Sequence, residues 1–242
     1  MRINGRNNSL LHILGDLLSF LEHKLGIFGP FSFKLVLGLA LGLASLFGFA
    51  KLSEDLLGNE LLVFDLTVTG YIKTFSSAQV TAIMKGISNL GSPYVLIGVG
   101  VVVMLYTGLK RRHFWDTVLV PLTLLGGIIL NEALKRLFHR QRPGWPHLVA
   151  ASGLSFPSGH SMMSYIFYGL LIYLLWANFP GKRLNWFFTA LFGITVLAVG
   201  ISRIYLGVHY PSDVLAGFAG GSFWLVACIL GLRGIRYYKA RE

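Results

Sequence analysis

The run WDTVLVPLTLLGGIILNEAL at residues 115–134, followed at once by KRLFHRQRP at residues 135–143, decides the fold class of this chain. An α-helix rises about 1.5 Å per residue and needs roughly 20 mostly apolar residues to cross about 30 Å of hydrocarbon. Residues 115–134 have that length and composition, and the basic cluster behind them lies where a membrane helix meets water. Five more apolar runs read the same way: Phe33 to Ala50, Pro93 to Leu109, Ser161 to Ala177, Leu184 to Gly200 and Val214 to Leu232. With 54% hydrophobic and 13% charged residues over 242 positions, the chain departs from soluble composition in the same direction. The expected fold is an all-α integral-membrane bundle of six transmembrane helices, built as a single domain over residues 1–242.

The segments outside the spans complete this organisation. Within residues 1–32, Leu10, Leu11, Ile13, Leu14, Leu17, Leu18 and Leu21 recur at helical spacing, with Asp16, Glu22 and Lys24 elsewhere on the wheel. This pattern is an amphipathic helix, lying in the interface or packed against the bundle. No compact apolar h-region or A-x-A-like site is visible there, so no cleavable signal peptide is expected. Residues 33–232 form the six-helix core. Its longest loop, Lys51 to Ser92, carries Val80, Ile83, Met84, Ile87 and Leu90 on one helix face, which predicts a helical loop on the outer surface beside the site. Residues 233–242 are a basic tail.

A formal net charge of +11 raises the question of nucleic acid, but the cations are dispersed among loops as topology signals are. A cytoplasmic N-terminus puts Arg2, Arg6, Lys24, Lys34, Lys110, Arg111, Arg112, Lys182, Arg183, Arg233, Arg236, Lys239 and Arg241 inside. Outside remain Lys51, Lys73 and Lys85, plus a group of five: Lys135, Arg136, Arg140, Arg142 and Arg203. Five cations held against the positive-inside preference call for a reason, such as binding an anion. Nucleic acid is not an expected partner. Cys228, the single cysteine, lies inside the last apolar run and has no partner for a disulfide or a cysteine metal site.

Three polar clusters interrupt the apolar pattern, and this topology brings all three to one membrane boundary. The first is Lys135 to Pro143. Residues seven apart return to nearly the same helix face, so Lys135 and Arg142 are placed to face one anion, although snorkelling to the interface would account for the same cations. The second is Phe156-Pro157-Ser158-Gly159-His160-Ser161, just before a span. A helix N-terminus offers unpaired N–H groups to a phosphate, and Ser158-Gly159 permits close approach; N-capping by Ser158 is the plainer account, and it leaves His160 unexplained. The third runs from Ser202-Arg203 through His209 to Asp213. The acid, four residues beyond the histidine, is in reach of one ring nitrogen and leaves the other as a lone pair. Starting a helix is the plainer role for Pro211 and Asp213, and it leaves Arg203 and His209 unused. Ionisable groups inside a membrane are costly, so three such clusters at one depth point to a site.

These residues resemble the signature of the type 2 phosphatidic acid phosphatase superfamily: K-x6-RP, then PSGH, then SR-x5-H-x3-D. Lys135 to Pro143, Pro157 to His160 and Ser202 to Asp213 match it at every signature position and in order. The six-span pattern and Ile87 to Ser92 are also similar to the family. The short stretch between Pro143 and Pro157 leaves no room for a separate cap domain. The family includes glucose 6-phosphatase and soluble vanadium haloperoxidases, but the membrane spans make this chain similar to bacterial lipid phosphatases.

The resemblance implies a hydrolase that cleaves a lipid phosphomonoester or pyrophosphate: phosphatidylglycerol phosphate, undecaprenyl pyrophosphate, phosphatidic acid or diacylglycerol pyrophosphate. By the same resemblance the active site lies within residues 135–213. His209 is the nucleophile, Asp213 orients its ring, and His160 is the acid. Lys135, Arg142, Arg203, Ser158 and Gly159 bind the phosphate, and neither a metal nor a cofactor is needed. The implied location is the inner (plasma) membrane, with both termini cytoplasmic and the site on the extracytoplasmic side. Vanadate-dependent peroxidase chemistry and a non-catalytic lipid or phosphate transporter are the other readings. Against transport, the charges gather at one boundary and no inverted repeat is visible.

Overall fold

The structure is a computed structural model that describes residues 30–110 and 114–239. Among these residues the regular elements are all helices: α1 (Pro30–Leu57), α2 (Leu62–Lys73), α3 (Ala78–Asn89), α4 (Pro93–Leu105), α5 (Phe114–Phe138), α6 (Gly159–Asn178), α7 (Arg183–Tyr205) and α8 (Pro211–Lys239). A π-helical turn, Tyr106–Lys110, prolongs α4. The chain forms two compact units divided after Ala40. The described part of the first is the opening of α1, and the second holds the rest of α1 with α2 to α8. The amphipathic segment expected before the first span lies outside the described residues.

Among the described residues, five helices are long and apolar enough to cross a membrane, and α3 with the stretch from Pro93 to Leu109 makes a sixth if that pair, bent by 42°, counts as one span. Length explains why the expected second span needs α3: the stretch from Pro93 alone reaches only about 26 Å. The other helices outrun their apolar runs. α5 continues to Phe138, α7 to Tyr205, and α8 extends from Pro211 to Lys239, so Lys135, Arg203 and Asp213 are all helical. Arg142 is not. His139 adopts a φ of 49°, in the left-handed region that closes helices, and α5 ends before it. The shared helix face expected of Lys135 and Arg142 therefore does not exist.

Local chemistry sets the helix starts. Ser77, Ser92 and Ser158 precede α3, α4 and α6, and each side chain accepts from the backbone N–H three residues on. Pro93 and Pro211 open α4 and α8, where a missing N–H costs little. The central helix is α6, which packs against α4, α5, α7 and α8. Met162, Ile166, Phe167 and Leu170 of α6 meet Leu119, Val120 and Leu124 of α5, Val196 of α7 and Leu225 of α8 in one buried cluster. Many outward side chains are apolar and exposed, among them Leu125, Ile129, Ile194 and Leu197, as a lipid-facing surface requires.

Two glycines bring α8 close to the start of α6. A Cβ on Gly217 would lie 2.8 Å from the Ser158 carbonyl oxygen, and one on Gly221 would lie 2.8 Å from that of Met162. Backbone contact at this distance sets the Asp213 end of α8 beside the Ser158 to His160 turn. A second buried cluster caps this end of the bundle, with Tyr205, Leu206 and Val208 packed by Ile72 of α2, Val80 and Met84 of α3, and Val149. α3 thus turns part of its expected apolar face toward α7, while Ile83 remains exposed.

Candidate active site

The end of α5, the start of α6, the end of α7 and the turn into α8 surround a cavity of about 570 Å³. Lys135, Arg142, Gly159, His160, Arg203 and His209 line it, together with Asn131 and Glu132. Pro93, Ile128 and Met163 supply an apolar side. Six of the eight expected site residues are therefore brought to one space from four separate stretches of chain.

His209 is 2% exposed and sits on the short segment between α7 and α8. That segment is laced to the strap between α5 and α6. The Leu148 N–H donates to the Leu206 carbonyl at 3.0 Å, Trp145 Nε1 to the Gly207 carbonyl at 3.0 Å, and Arg142 Nη1 to the Val208 carbonyl at 2.7 Å. Arg142 Nη1 also lies 3.2 Å from His209 Nε2. A guanidinium only donates, so Nε2 carries the lone pair and Nδ1 the proton. Nδ1 is 3.5 Å from Asp213 Oδ2 and 3.4 Å from Ser155 Oγ, and the Ser155 hydroxyl donates to that same carboxylate oxygen at 2.5 Å. The expected histidine–aspartate pair is present, with Ser155 bridging it. The Nε2 lone pair faces the Arg142 guanidinium, and both residues line the cavity.

The cations are fixed in different ways. Arg142 is tied by Nε to the Gly153 carbonyl at 3.1 Å and by Nη2 to the Ser152 carbonyl at 2.9 Å, so a loop positions it where a helix was expected to. Arg203, 6% exposed, donates from Nη1 to Ser88 Oγ of α3 at 2.6 Å. Its buried Nε has no hydrogen-bond partner among the described residues. An orphaned donor on a cavity wall suits an oxyanion. Lys135 reaches the cavity beside Gly159, where a Cβ would come 3.0 Å from Asn131 Oδ1 and 3.7 Å from Lys135 Nζ. Glycine at this position leaves the first turn of α6 open to whatever occupies the cavity.

Two expected residues stand behind the cavity wall. Asp213 is fully buried and meets the cavity lining at His209, with Oδ2 3.5 Å from Nδ1. Ser158, also fully buried, caps α6 with its hydroxyl and donates its N–H to the Asp213 carbonyl at 2.9 Å. It ties the second motif to the third and does not face the cavity. Of the five outer cations, Arg136 is an exposed partner of Glu132, and Arg140 is engaged by Asp65 and Asp213; only Lys135, Arg142 and Arg203 line the cavity. Sequence reasoning passed over Asp65, Ser88, Asn131 and Ser155. Asp65 did leave a trace, as a lone acid within the apolar stretch LLVFDLTV, and Ser88 lies in the family-like stretch Ile87 to Ser92; Ser155 and Asn131 carried none.

Burial pushes His209 down to about 4, against the opposing pull of the Asp213 carboxylate. With a folded value below the ordinary 6.5, the ring is neutral above about pH 5 and binds a proton only as pH falls toward 4. A histidine NMR titration of the ligand-free protein is expected to place the His209 midpoint near 4. A midpoint at 6.5 or higher would show that the ring is solvated and not set as described.

Comparison with known proteins shows the family and the fold that this chain shares. The model for the family described as the PAP2 superfamily matches residues 116–236. Phosphatidylglycerophosphatase B of Bacillus subtilis is 37% identical over 144 residues, covering 57% of this chain and 68% of that protein. Undecaprenyl-diphosphatase of Sulfolobus acidocaldarius is 27% identical over 172 residues, covering 69% of this chain and 77% of that protein. The crystal structure of a transmembrane PAP2-type phosphatidylglycerolphosphate phosphatase from Bacillus subtilis superposes with a TM-score of 0.74 at 28% identity, covering 81% of this chain and 96% of that one. With the helices described above, this likeness makes the chain a multi-pass membrane protein.

Proposed function

The chain belongs to the PAP2 superfamily, and on that premise we propose that it is a lipid phosphatase working through a phosphohistidine. The observation that carries this reading is the cavity wall itself, which His209 shares with His160 and three cations, with Nε2 held against one of those cations, Arg142. In the first step Nε2 attacks phosphorus: the P–N bond forms, the bond to the leaving oxygen breaks, and His160 gives that oxygen a proton. Lys135, Arg142, Arg203 and the N–H groups opening α6 hold the non-bridging oxygens as their charge redistributes. In the second step His160 takes a proton from water, the water oxygen attacks phosphorus, and the P–N bond breaks to release phosphate.

The apolar side formed by Pro93, Ile128 and Met163 supports a substrate whose tails stay in the bilayer while its head group enters. The Bacillus subtilis relative favours phosphatidylglycerol phosphate, and the undecaprenyl-diphosphatase keeps a lipid pyrophosphate in play. We place the site on the extracytoplasmic side of the inner membrane with both termini cytoplasmic. A reporter fused after Arg112 should then read as cytoplasmic, and an external reading would overturn the orientation.

Purified protein in detergent, with no gradient, is expected to release phosphate from one or more of phosphatidylglycerol phosphate, undecaprenyl pyrophosphate, phosphatidic acid and diacylglycerol pyrophosphate. The rate should be the same with or without a chelator. No release from any of them would sink the hydrolase reading in favour of transport, and loss of activity on chelation would remove the metal-free scheme.

A further inference from the structure

Asp65 lies on α2, outside the residues that the family model matches, and it is fully buried. An isolated carboxylate is costly to bury, so its partners reveal what it does. Oδ1 accepts from the Ser212 N–H at 2.9 Å, while Oδ2 accepts from the Ser212 hydroxyl at 2.7 Å and from Arg140 Nη2 at 2.6 Å. The other arm of Arg140, Nη1, donates to Asp213 Oδ1 at 2.6 Å and to Ser212 Oγ at 2.7 Å. The guanidinium lies over the Tyr210 ring, 4.1 Å from its centroid. Arg140 is thus shared between two buried carboxylates, with its plane fixed by an aromatic face.

The sharing has an electrostatic and a geometric consequence. Arginine and aspartate readily form a two-pronged pair that uses both carboxylate oxygens. Here Arg140 touches only Oδ1 of Asp213, and Oδ2 remains for the Tyr210 N–H at 2.8 Å, the Ser155 hydroxyl and the His209 ring. Asp65 holds the second arm and so prevents the two-pronged pair. It also restores the negative charge that Arg140 would cancel. Asp65, Arg140 and Asp213 together carry one net negative charge behind His209, whose ring gains positive charge when Nε2 bonds to phosphorus.

We infer that Asp65 is a positioning residue for the phosphoryl-transfer step, acting through Arg140 to keep Asp213 turned toward His209 and electrostatically effective. The inference rests on the phosphohistidine reading above.

The test compares wild type, Asp65→Asn, Arg140→Met and the double variant in mixed micelles on whichever of the four lipids named above wild type hydrolyses fastest, with rates expressed per orthovanadate-binding site so that misfolded protein does not count. Asp65→Asn is expected to lower kcat by roughly 10–100-fold, as loss of an orienting partner does, with KM and vanadate affinity within about twofold. In the double variant the two losses should fail to multiply, because both act on Asp213 through one path. Ser212→Ala, which removes the bridging hydroxyl and no charge, should cause a smaller loss of the same kind, and it serves if Asp65→Asn does not fold. Multiplicative losses, a wild-type kcat in a folded Asp65→Asn or Ser212→Ala variant, or vanadate affinity falling in step with kcat would overturn the role of Asp65. An active His209→Ala variant, or a wild type inactive on all four lipids named above, would instead overturn the reading beneath it, so the two failures are distinguishable.

Discussion

His209→Ala is expected to lower kcat by about 10⁴-fold or more, because it removes the atom that bonds to phosphorus and no neighbour can substitute for it. The other polar side chains that line the cavity are the three cations, Glu132, Asn131, Ser152 and His160. Three cations with an orphaned guanidinium Nε survive the substitution, so the variant should still bind orthovanadate. The pairing of lost turnover with retained anion binding is the informative result. It is read by phosphate release and by vanadate binding on the same preparation. A trapped phosphoenzyme should form in wild type and be absent in the variant. An active His209→Ala protein would assign the nucleophile elsewhere.

Asp213→Asn is the next largest effect, expected on the order of 10³–10⁴-fold in kcat. The carboxylate is acceptor-only, and it takes bonds from Ser155, Tyr210 and Arg140 while facing the His209 Nδ1 proton. An amide put in its place presents N–H groups to some of those donors. If it turns its N–H toward Nδ1, the ring proton moves to Nε2, the atom that must carry the lone pair. The variant also cannot stabilise the positive ring of the intermediate. Arg140 retains Asp65 as a partner, so folding should survive better than loss of an entire buried ion pair would suggest. Rates per vanadate-binding site separate chemistry from folding. A modest loss, below about tenfold, would mean that Ser155 alone orients the ring and that the charge of Asp213 matters little.

Both outcomes depend on residues that the sequence displays openly. Apolar runs of membrane-spanning length, and the spacing of Lys135, Arg142, His160, Arg203, His209 and Asp213, are local properties of the chain, readable because helix length and motif order require no knowledge of packing. The all-helical fold and most span positions are legible on the same grounds. Where the reading strayed, the missing quantity was three-dimensional. Ser158 looks like a phosphate ligand because it opens a helix, but its hydroxyl is used in capping α6. Lys135 and Arg142 look helical neighbours until His139 ends the helix.

The sequence by itself determined the membrane-helix class, the family signature and six of the residues that line the cavity, since each follows from composition or order along the chain. Only the tertiary structure decided which cations face the cavity and which are balanced by buried acids. It also decided that α3 supplies a hydroxyl to Arg203, that Ser155 bridges His209 and Asp213, and that Asp65 reaches Arg140 from a helix far away in sequence. The physical reason is that a hydrogen bond or an ion pair depends on separation of a few ångströms. Separation along the chain, as between Asp65 and Asp213, says nothing about it until close glycine packing and the α6-centred core bring the helices together.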